Sequence, residues 1–274
     1  MSESTESVAL LRAESLCKAY GEQSALTDLS LSVPKGGFYG VLGPIGSGKT
    51  TLMEILSGSV SADAGQVWLS DGCVAPEEKE AKARIGYMPE RSPFYRNMTV
   101  METLDFIGSA RGVEAEKRYR QMKEALELVG LSERQNRLVG ALGGEELKRL
   151  SLGGALLGNP DLLLLDEPLA AVSDAKKEEM LGLLRMLGRI KTVVLATADF
   201  STVKALCGNL TILSDGSVLA QGSMTELDER LRRSEQKTTL ESVYRDLVSA
   251  SLRCPSSLEA GRRDRKKADK EGRR

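Results

Sequence analysis

The sequence predicts an α/β fold with a mostly parallel central sheet, an N-terminal antiparallel β-subdomain and a helical subdomain. Continuous apolar runs such as "DLLLLDEP" and "TVVLAT" are typical of parallel strands that are covered on both faces. A glycine-rich loop joins one short apolar strand to a helix, and the middle of the chain has apolar residues at helical spacing. With 274 residues, 41% of them hydrophobic, the chain can fill a core of this size.

The first elements alternate strands with a loop and a helix. The segment "LSLSV" at 29–33 alternates apolar and polar residues and predicts a half-buried strand that ends at "PKGG". "FYGVL" is a short buried strand, and a helix is expected over Thr51–Leu56, closed by Gly58. "GQVWLSDG" and "RIGYM" predict further strands, with Asp71-Gly72 as a hairpin signal.

The second half of the chain is predicted to begin with helices and then return to strands. A helical pattern runs from Thr99 to about Gly130, so we expect the helical subdomain over about 93–150. The two apolar runs of the central sheet follow, separated by a helix near Ala175–Leu187, and "NLTILSDGSVLAQG" predicts a last hairpin. A helical extension is expected over 223–252, and a basic, disordered tail over 253–274.

Charge and composition narrow the class of protein. The net charge of −1 gives no overall field toward nucleic acid or membrane, so no specific nucleic acid partner is expected. The basic end "GRRDRKKADKEGRR" suits a solvated tail better than a contact with anionic lipid or RNA. Without a membrane-spanning run or a signal peptide, the chain is expected in the cytoplasm, with its four scattered cysteines reduced. The sequence has no histidine, so any chemistry must proceed without imidazole.

The glycine-rich loop carries the strongest functional signal. "GPIGSGKT" fits the pattern G-x-x-x-x-G-K-[ST] between a strand and a helix, the arrangement in which backbone N–H groups surround phosphate oxygens. An ordinary glycine-rich turn is the alternative. The Lys49 ammonium would lie between the β- and γ-phosphates, and the Thr50 hydroxyl would ligate Mg²⁺. The predicted ATP-binding residues of this loop are Gly43, Pro44, Ile45, Gly46, Ser47, Gly48, Lys49, Thr50 and Thr51.

An acidic pair at the end of "LLLLDEP" supplies the second half of such a site. Asp166 would hold the Mg²⁺ shell, and Glu167 would polarise the attacking water as the catalytic residue. Two acidic residues at a strand end are a weak signal alone and more often mark a strand-to-turn boundary. Combined with the phosphate loop, they become a strong signal for a site that holds phosphates and Mg²⁺.

These motifs resemble the ATP-binding subunit of an ABC transporter, a P-loop NTPase (ABC ATPase) fold. The resemblance extends from Leu11 to Gly222 and places the ATP-binding domain at 1–222. It implies that Tyr20 stacks on adenine, and that Glu90, at the family's glutamine position, contacts Mg²⁺ and the γ-phosphate. A glutamate there, and the segment "TTLESVYRDLVS", resemble the gliding-motility and multidrug-export branch.

The resemblance also implies partners. Family members dimerise head to tail around two ATP molecules and act with a transmembrane permease subunit, which would hold the chain peripherally on the inner face of the cell membrane. Each ATP lies between one subunit's phosphate loop and the other's signature motif. A homodimer or a heterodimer with another ATP-binding subunit is therefore expected.

The signature motif, usually L-S-G-G-[QE], is altered here to "ALGGEELKRLS". In an ungapped alignment, Gly143 replaces the serine and Glu145 replaces the second glycine. If Gly143 and Gly144 are the glycine pair, Leu142 replaces the serine and one residue is inserted. Both alignments lose a hydroxyl whose bond to a phosphate would contribute about 1.5 to 3 kcal/mol. The stretch also fits an ordinary helix N-terminus with favourable acidic residues.

Two further positions depart from the family. Ser173 stands where an aspartate is expected after the acidic pair, with Asp174 one residue late. Ala198 takes the place of the histidine that contacts the γ-phosphate and orients the water, a role worth about 10² to 10⁴ in rate. Ile45 replaces a polar loop residue, which matters least because backbone amides hold the phosphates.

Two functions from different classes follow. The first is an ATPase subunit that drives export through separate membrane subunits. The second is a nucleotide-dependent clamp or regulatory subunit with little turnover, as the degenerate half of a heterodimer. A soluble ABC protein of DNA repair or translation is disfavoured, because long coiled coils or tandem nucleotide domains do not fit in 274 residues.

Overall fold

The computed structural model describes residues 9–69, 78–233 and 239–253. The hairpin signal Asp71-Gly72, two of the four cysteines and the basic tail from residue 254 onward lie outside these ranges. No described helix combines the length and the apolar character needed to cross a bilayer.

An antiparallel sheet forms the N-terminal part. Its strand order is β2-β1-β4, with bounds β1 (Ala9–Tyr20), β2 (Gln23–Pro34) and β4 (Ala64–Leu69). β2 is longer than the strand that the alternating residues predicted, and β4 confirms the strand expected in "GQVWLSDG". β1 was not predicted from its pattern, because its register against β2 shifts several times along its length.

The central sheet has six strands in the order β5-β6-β7-β3-β8-β9. All neighbouring pairs are parallel except β8 and β9, which form the predicted hairpin. The bounds are β3 (Gly37–Leu42), β5 (Ile85–Met88), β6 (Leu162–Asp166), β7 (Thr192–Thr197), β8 (Asn209–Ser214) and β9 (Ser217–Ser223). The predicted fold class is confirmed, and the carboxyl ends of β3, β7 and β6 lie side by side.

Two helices of the first half flank the central sheet. The loop after β3 leads into α1 (Lys49–Leu56), which starts two residues earlier than predicted. A short helix that the sequence did not predict, α2 (Lys79–Arg84), leads directly into β5. The inner face of α1 buries apolar side chains in one of the two hydrophobic cores, the one that also fills the antiparallel sheet.

Three helices lie between β5 and β6 in the chain: α3 (Val100–Ala110), α4 (Ala115–Leu128) and α5 (Gly144–Leu156). α3 begins at a capping box, because the Thr99 hydroxyl accepts from the Glu102 N–H while the Glu102 carboxylate accepts from the Thr99 N–H at 2.7 Å. The helical pattern predicted from Thr99 to Gly130 is interrupted after α3, where Gly112 has φ of 74°. Short 3₁₀ turns at Ser132–Arg134 and Val139–Ala141 lead into α5.

Four helices complete the described chain: α6 (Asp174–Gly188), α7 (Phe200–Leu206), α8 (Met224–Arg233) and α9 (Leu240–Arg253). The second hydrophobic core, on the other face of the central sheet, joins residues of β6, β7, α3, α4, α5 and α6. Leu240 and Tyr244 of α9 are buried in this same core. The C-terminal helix therefore packs against the domain instead of extending into solvent.

Candidate functional site

The candidate site lies at the carboxyl ends of three adjacent strands. Leu42 at the end of β3 pairs with Thr197 at the end of β7, and Asp166 at the end of β6 pairs with Ala196. This register brings the glycine-rich loop, the acidic pair and the segment after β7 to one edge of the sheet. Ligands of open α/β sheets bind at this edge.

The loop from Gly43 to Thr50 follows a path that needs glycine. Gly46 and Gly48 have φ of 85° and 97°, a region that other residues seldom adopt. A Cβ on Gly48 would also lie 2.5 Å from the carbonyl oxygen of Ala25. The Ser47 hydroxyl is buried without a hydrogen-bond partner among the described residues, whereas Ile45 is 77% exposed. The loop is thus a tight backbone arc with the Ile45 side chain turned to solvent.

Lys49 begins helix α1, and its side chain folds back into the loop. Only 7% of this residue is exposed, and its ammonium donates to the carbonyl oxygens of Gly43 at 2.8 Å and Pro44 at 3.0 Å. A carboxylate oxygen of Glu167 lies 3.8 Å away. Burial lowers the Lys49 pKa, and the nearby carboxylates oppose that shift. The ammonium is therefore held at the centre of the loop.

Thr50 and Asp166 meet across the site. The exposed Thr50 donates its hydroxyl hydrogen to Asp166 Oδ2 at 2.7 Å. Asp166 has no exposed surface, and its Oδ1 atom has no partner among the described residues. Burial raises the Asp166 pKa to about 6, with a smaller upward contribution from the charge of Glu167. The free carboxylate oxygen beside a hydroxyl suits a hard cation.

Glu167 has a strained backbone and a well-held side chain. Its φ of 47° is unusual for a residue with a Cβ, and its N–H donates to Ala196 O at 2.8 Å. Its carboxylate accepts the Thr197 hydroxyl at 2.9 Å and the Ala198 N–H at 2.8 Å. The end of β7 therefore orients this carboxylate through one hydroxyl and one backbone amide.

Lys148 of α5 connects the helices to the strand ends. This residue is 8% exposed, and its ammonium donates to the backbone oxygens of Glu90 at 2.7 Å and Glu167 at 2.8 Å. Burial lowers the Lys148 pKa, and the charges of Asp166, Glu90 and Glu167 oppose that shift. Glu90 itself is exposed after β5, with its carboxylate close enough to act electrostatically on Asp166.

Two predicted site residues lie at the margin of this cluster. Thr51 is half-buried on α1, next to Thr50. Tyr20 is 51% exposed at the end of β1, where the Lys18 ammonium lies 5.7 Å from its ring centroid. The tyrosine ring is thus available on the surface for stacking.

The segments predicted from the sequence to depart from the family's signature and following motif are at the surface. Gly143 is the N-cap of α5, and its N–H donates to the Glu146 carboxylate at 3.0 Å. A Cβ on Gly144 would lie 3.2 Å from that of Ala171, so this motif touches the segment after the acidic pair. Ser173 is the N-cap of α6, yet its side chain makes no capping bond.

Three contributors to the cluster were not selected from the sequence. Thr197 and Lys148 bind Glu167 directly, while Tyr244 of α9 donates to Ala198 O at 2.8 Å. The only available signal was for Thr197, a polar residue at the end of a buried apolar run. Lys148 and Tyr244 lie on helices distant in sequence, so no local pattern indicates their contacts.

This strand, glycine-rich loop and helix, with an inward lysine and an acidic neighbouring strand end, define the class of P-loop nucleotide-binding proteins. The family model for ABC transporters matches residues 26–170. The chain belongs to the ABC transporter family, and it is an ATP-binding subunit with the fold of an ABC-type ATPase. The resemblance inferred from the motifs is thereby confirmed.

Curated relatives include export-related proteins. The linearmycin resistance ATP-binding protein of Bacillus subtilis is 32% identical over 223 residues, covering 81% of this chain and 72% of the relative. The Nod factor export ATP-binding protein I of Ralstonia nicotianae is 33% identical over 222 residues, covering 81% and 69% respectively. A crystal structure of the ADP conformation of an ATP-binding cassette of an ABC transporter is also similar. It has a TM-score of 0.69 and 26% identity, with 83% of this chain and 96% of the other covered.

Proposed function

We propose that the chain binds MgATP at the cluster formed by the phosphate loop and the acidic pair, and couples binding to export through a separate permease. Two features observed together carry this proposal. The Lys49 ammonium is buried, and the Thr50 hydroxyl donates to Asp166 at 2.7 Å. An ammonium inside a glycine-rich arc suits the β- and γ-phosphates of a nucleotide. Tyr20, exposed at the end of β1, would stack on the adenine.

Mg²⁺ fits the residues present. Among the described residues, no group of three or more acidic or thiol side chains forms a ready metal cage. That agrees with Mg²⁺, which is usually bound by one or two carboxylates together with substrate phosphates. Asp166, with its unpartnered buried oxygen, and the Thr50 hydroxyl would hold the ion, and Glu90 would reach its outer shell. When bound, Mg²⁺ neutralises negative charge on the phosphates.

Glu167 would then polarise the attacking water. Its carboxylate is 22% exposed on the side chain, so water can reach it while Thr197 and Ala198 keep it oriented. Ala198 has no polar side-chain atom for the γ-phosphate, and the described chain offers no histidine to replace one. We therefore propose slow hydrolysis, with a degenerate heterodimer subunit as the second candidate function.

A head-to-tail dimer would use the exposed altered motifs. Gly143, Gly144, Ala171 and Ser173 are all exposed, as an interface with a partner's ATP requires. A serine is among the preferred N-cap residues, and the N-cap of α5 falls on Gly143, which supports the ungapped alignment of the signature. The partner subunit would then supply a more complete motif to the ATP of this chain.

The permease would sit on an apolar groove near the loop after β5. This cavity of about 340 Å³ lies between that loop and α3, with Tyr95 at 58% and Phe106 at 51% exposure on its rim. The Tyr87 hydroxyl and the Arg111 Nη2 are buried there without partners among the described residues. The apolar walls and the exposed aromatic rings on the rim suit the apolar face of a short amphipathic helix. Such docking would place the chain peripherally on the inner face of the membrane.

A Lys49→Ala substitution tests the nucleotide site. Each hydrogen bond between this ammonium and a phosphate contributes about 1.5 to 3 kcal/mol, so MgATP affinity should fall at least about tenfold in isothermal titration calorimetry. Lys191→Ala is the matched control, because Lys191 is half-buried and also donates to a backbone carbonyl, Pro160 O at 2.7 Å, but at the start of β7. Unchanged affinity in the Lys49 variant would show that the loop is not the site.

A further inference from the structure

We propose that Tyr244 of the C-terminal helix α9 is a positioning residue for ATP hydrolysis, which orients the Glu167 carboxylate through the backbone of Ala198. This inference rests on the proposed role of Glu167 and adds a residue from outside the ATP-binding domain predicted at 1–222. Nothing in the phosphate-loop or acidic motifs points to it. The structure brings the two segments together across 46 residues of sequence.

The contact forms an unbroken chain of hydrogen bonds. The Tyr244 hydroxyl donates to the carbonyl oxygen of Ala198 at 2.8 Å, and the Ala198 N–H donates to Glu167 Oε1 at 2.8 Å. These two bonds act on either side of the Ala198 Cα. Together they fix the backbone orientation that aims the N–H at the carboxylate. Loss of the first bond frees the Ala198 carbonyl and loosens the second.

The phenol is rigidly held. Tyr244 is 4% exposed, and its ring stacks on Phe200 at a centroid distance of 6.1 Å and an interplanar angle of 27°. Leu240, one turn earlier on α9, is 3% exposed in the same core. Burial raises the Tyr244 pKa, with Glu167 and Asp199 adding to the shift, so the hydroxyl stays protonated and remains a donor. A buried donor on a packed helix can therefore define the position of the loop.

The segment after β7 needs such an external constraint. The Ala198 side chain is a single methyl group, so it offers no polar atom that would hold the loop from within. Thr197 already uses its hydroxyl as a donor to Glu167 and as an acceptor for the Asp199 N–H. Asp199 is occupied as the N-cap of α7, where it accepts from the Ser201 N–H at 3.0 Å. The Ala198 carbonyl oxygen instead accepts from Tyr244 of α9.

A Tyr244→Phe substitution keeps the ring and its stacking while removing the hydroxyl. One such hydrogen bond contributes about 0.5 to 1.5 kcal/mol, so kcat for MgATP hydrolysis should fall about threefold to tenfold, with KM unchanged. Tyr39→Phe is the matched control. It removes another buried tyrosine hydroxyl, which lies 2.6 Å from Thr211 Oγ1 and away from the strand ends. It should leave kcat within about twofold.

A double variant separates positioning from general destabilisation. If Tyr244 acts through Glu167, adding Tyr244→Phe to Glu167→Gln should cause no further loss of single-turnover rate with radiolabelled ATP. A loss in the double variant equal to that in the single variant would overturn the inference, because Tyr244 would then act independently of the carboxylate.

Amide hydrogen exchange tests the same link without hydrolysis. Without the Tyr244 hydroxyl, the Ala198 N–H should exchange about threefold faster or more in NMR, while Tyr39→Phe should leave it unchanged. Unaltered exchange at Ala198 would overturn the inference even if MgATP binding is established. Conversely, an unchanged MgATP affinity in Lys49→Ala would overturn the proposed nucleotide site, whatever the exchange shows.

Discussion

Among single residues, Asp166 has the least favourable environment for its charge. It is fully buried, and burial raises its pKa to about 6 from an ordinary value of 3.8. A carboxyl group with a raised folded-state pKa adds stability below pH 3.8 and loses it as the pH rises through 6. At neutral pH without metal, this ionised carboxylate therefore destabilises the fold.

An Asp166→Asn substitution should consequently stabilise the metal-free protein. The difference between pKa values of about 6 and 3.8 corresponds to about 3 kcal/mol, so we expect a gain of about 1 to 3 kcal/mol in the free energy of unfolding at pH 7.5. The gain should shrink as the pH falls through 6. Urea denaturation in the presence of a chelator at pH 7.5 and 5.5 measures both effects.

Asp161→Asn is the control for this experiment. Asp161 is exposed and pairs with Arg84 at 2.8 Å, so its replacement should bring no gain at either pH. Equal or lower stability of Asp166→Asn at pH 7.5 would contradict the raised pKa. The same variant should have a lower affinity for MgATP, because the proposed carboxylate ligand of Mg²⁺ is replaced by a neutral amide.

At the scale of secondary-structure elements, α5 is the main connection between the helices and the nucleotide edge. Its Lys148 bonds the loops after β5 and β6 at once, and Arg149 bonds Val129 O at 3.0 Å and Glu179 at 2.8 Å. The two buried cations of this helix therefore tie it to four neighbouring segments. A movement of the helices relative to the sheet would therefore change the position of Glu167, whose backbone oxygen accepts from Lys148.

Replacing Lys148 by Met should test this connection. The variant keeps an unbranched side chain but leaves the carbonyls of Glu90 and Glu167 without their donor. Losing these bonds should lower the free energy of unfolding by about 2 kcal/mol in urea denaturation.

Lys177→Met is the matched control, since Lys177 lies on α6 with a side chain 42% exposed and its ammonium pairs with Asp174 at 2.8 Å. Its effect should stay within about 0.5 kcal/mol. Similar losses of unfolding free energy in the two variants would show that Lys148 contributes no more to stability than an exposed lysine does.

Not every element was predictable. The parallel strands β6 and β7 were, because both of their faces are buried and each contains a run of four apolar residues before its polar last residue. β1 was missed because its bulges break the alternation, and α2 was missed because six polar and small residues carry little periodicity. The pattern from Thr99 to Gly130 indicated two successive helical segments, and the structure has two helices there, α3 and α4.

At the scale of the whole molecule, the proposed nucleotide site occurs in one chain with the exposed segments around Gly143 and Ser173, which we propose face a partner subunit. The exposed N-cap of α5 is Gly143, which has no hydroxyl for a partner's phosphate. Asp174 is 94% exposed on its side chain and pairs with Lys177 within its own helix. In a dimer of two copies of this chain, each ATP would thus bind tightly to the phosphate loop of one copy and weakly to the segment at Gly143 of the other.

The isolated chain should therefore stay monomeric with MgATP. Even in Glu167→Gln, where slow hydrolysis prolongs the ATP-bound state, light scattering after size-exclusion chromatography should report a monomer at micromolar concentration. The physical reason is the missing serine hydroxyl, worth about 1.5 to 3 kcal/mol at each of two sites. Gly143→Ser in the same background serves as the gain-of-function control and should shift the population toward dimer.

A stable MgATP-dependent dimer of the protein that keeps Gly143 would contradict this prediction. Robust steady-state phosphate release that is lost in Glu167→Gln would likewise favour the export ATPase over the clamp. Either result would mean that Gly143, Ser173 and Ala198 are tolerated replacements.

The sequence by itself determined the class of fold and the identity of the phosphate loop and acidic pair. Both are local signals: glycine permits the loop's φ values, and apolar runs mark strands that are covered on both faces. Tertiary structure alone decided how Glu167 is held, because Lys148, Ala198 and Tyr244 meet it or its neighbours from three separate elements. Hydrogen bonds between distant segments leave no periodic trace in a sequence, since one donor at the right distance suffices and its neighbours need not change.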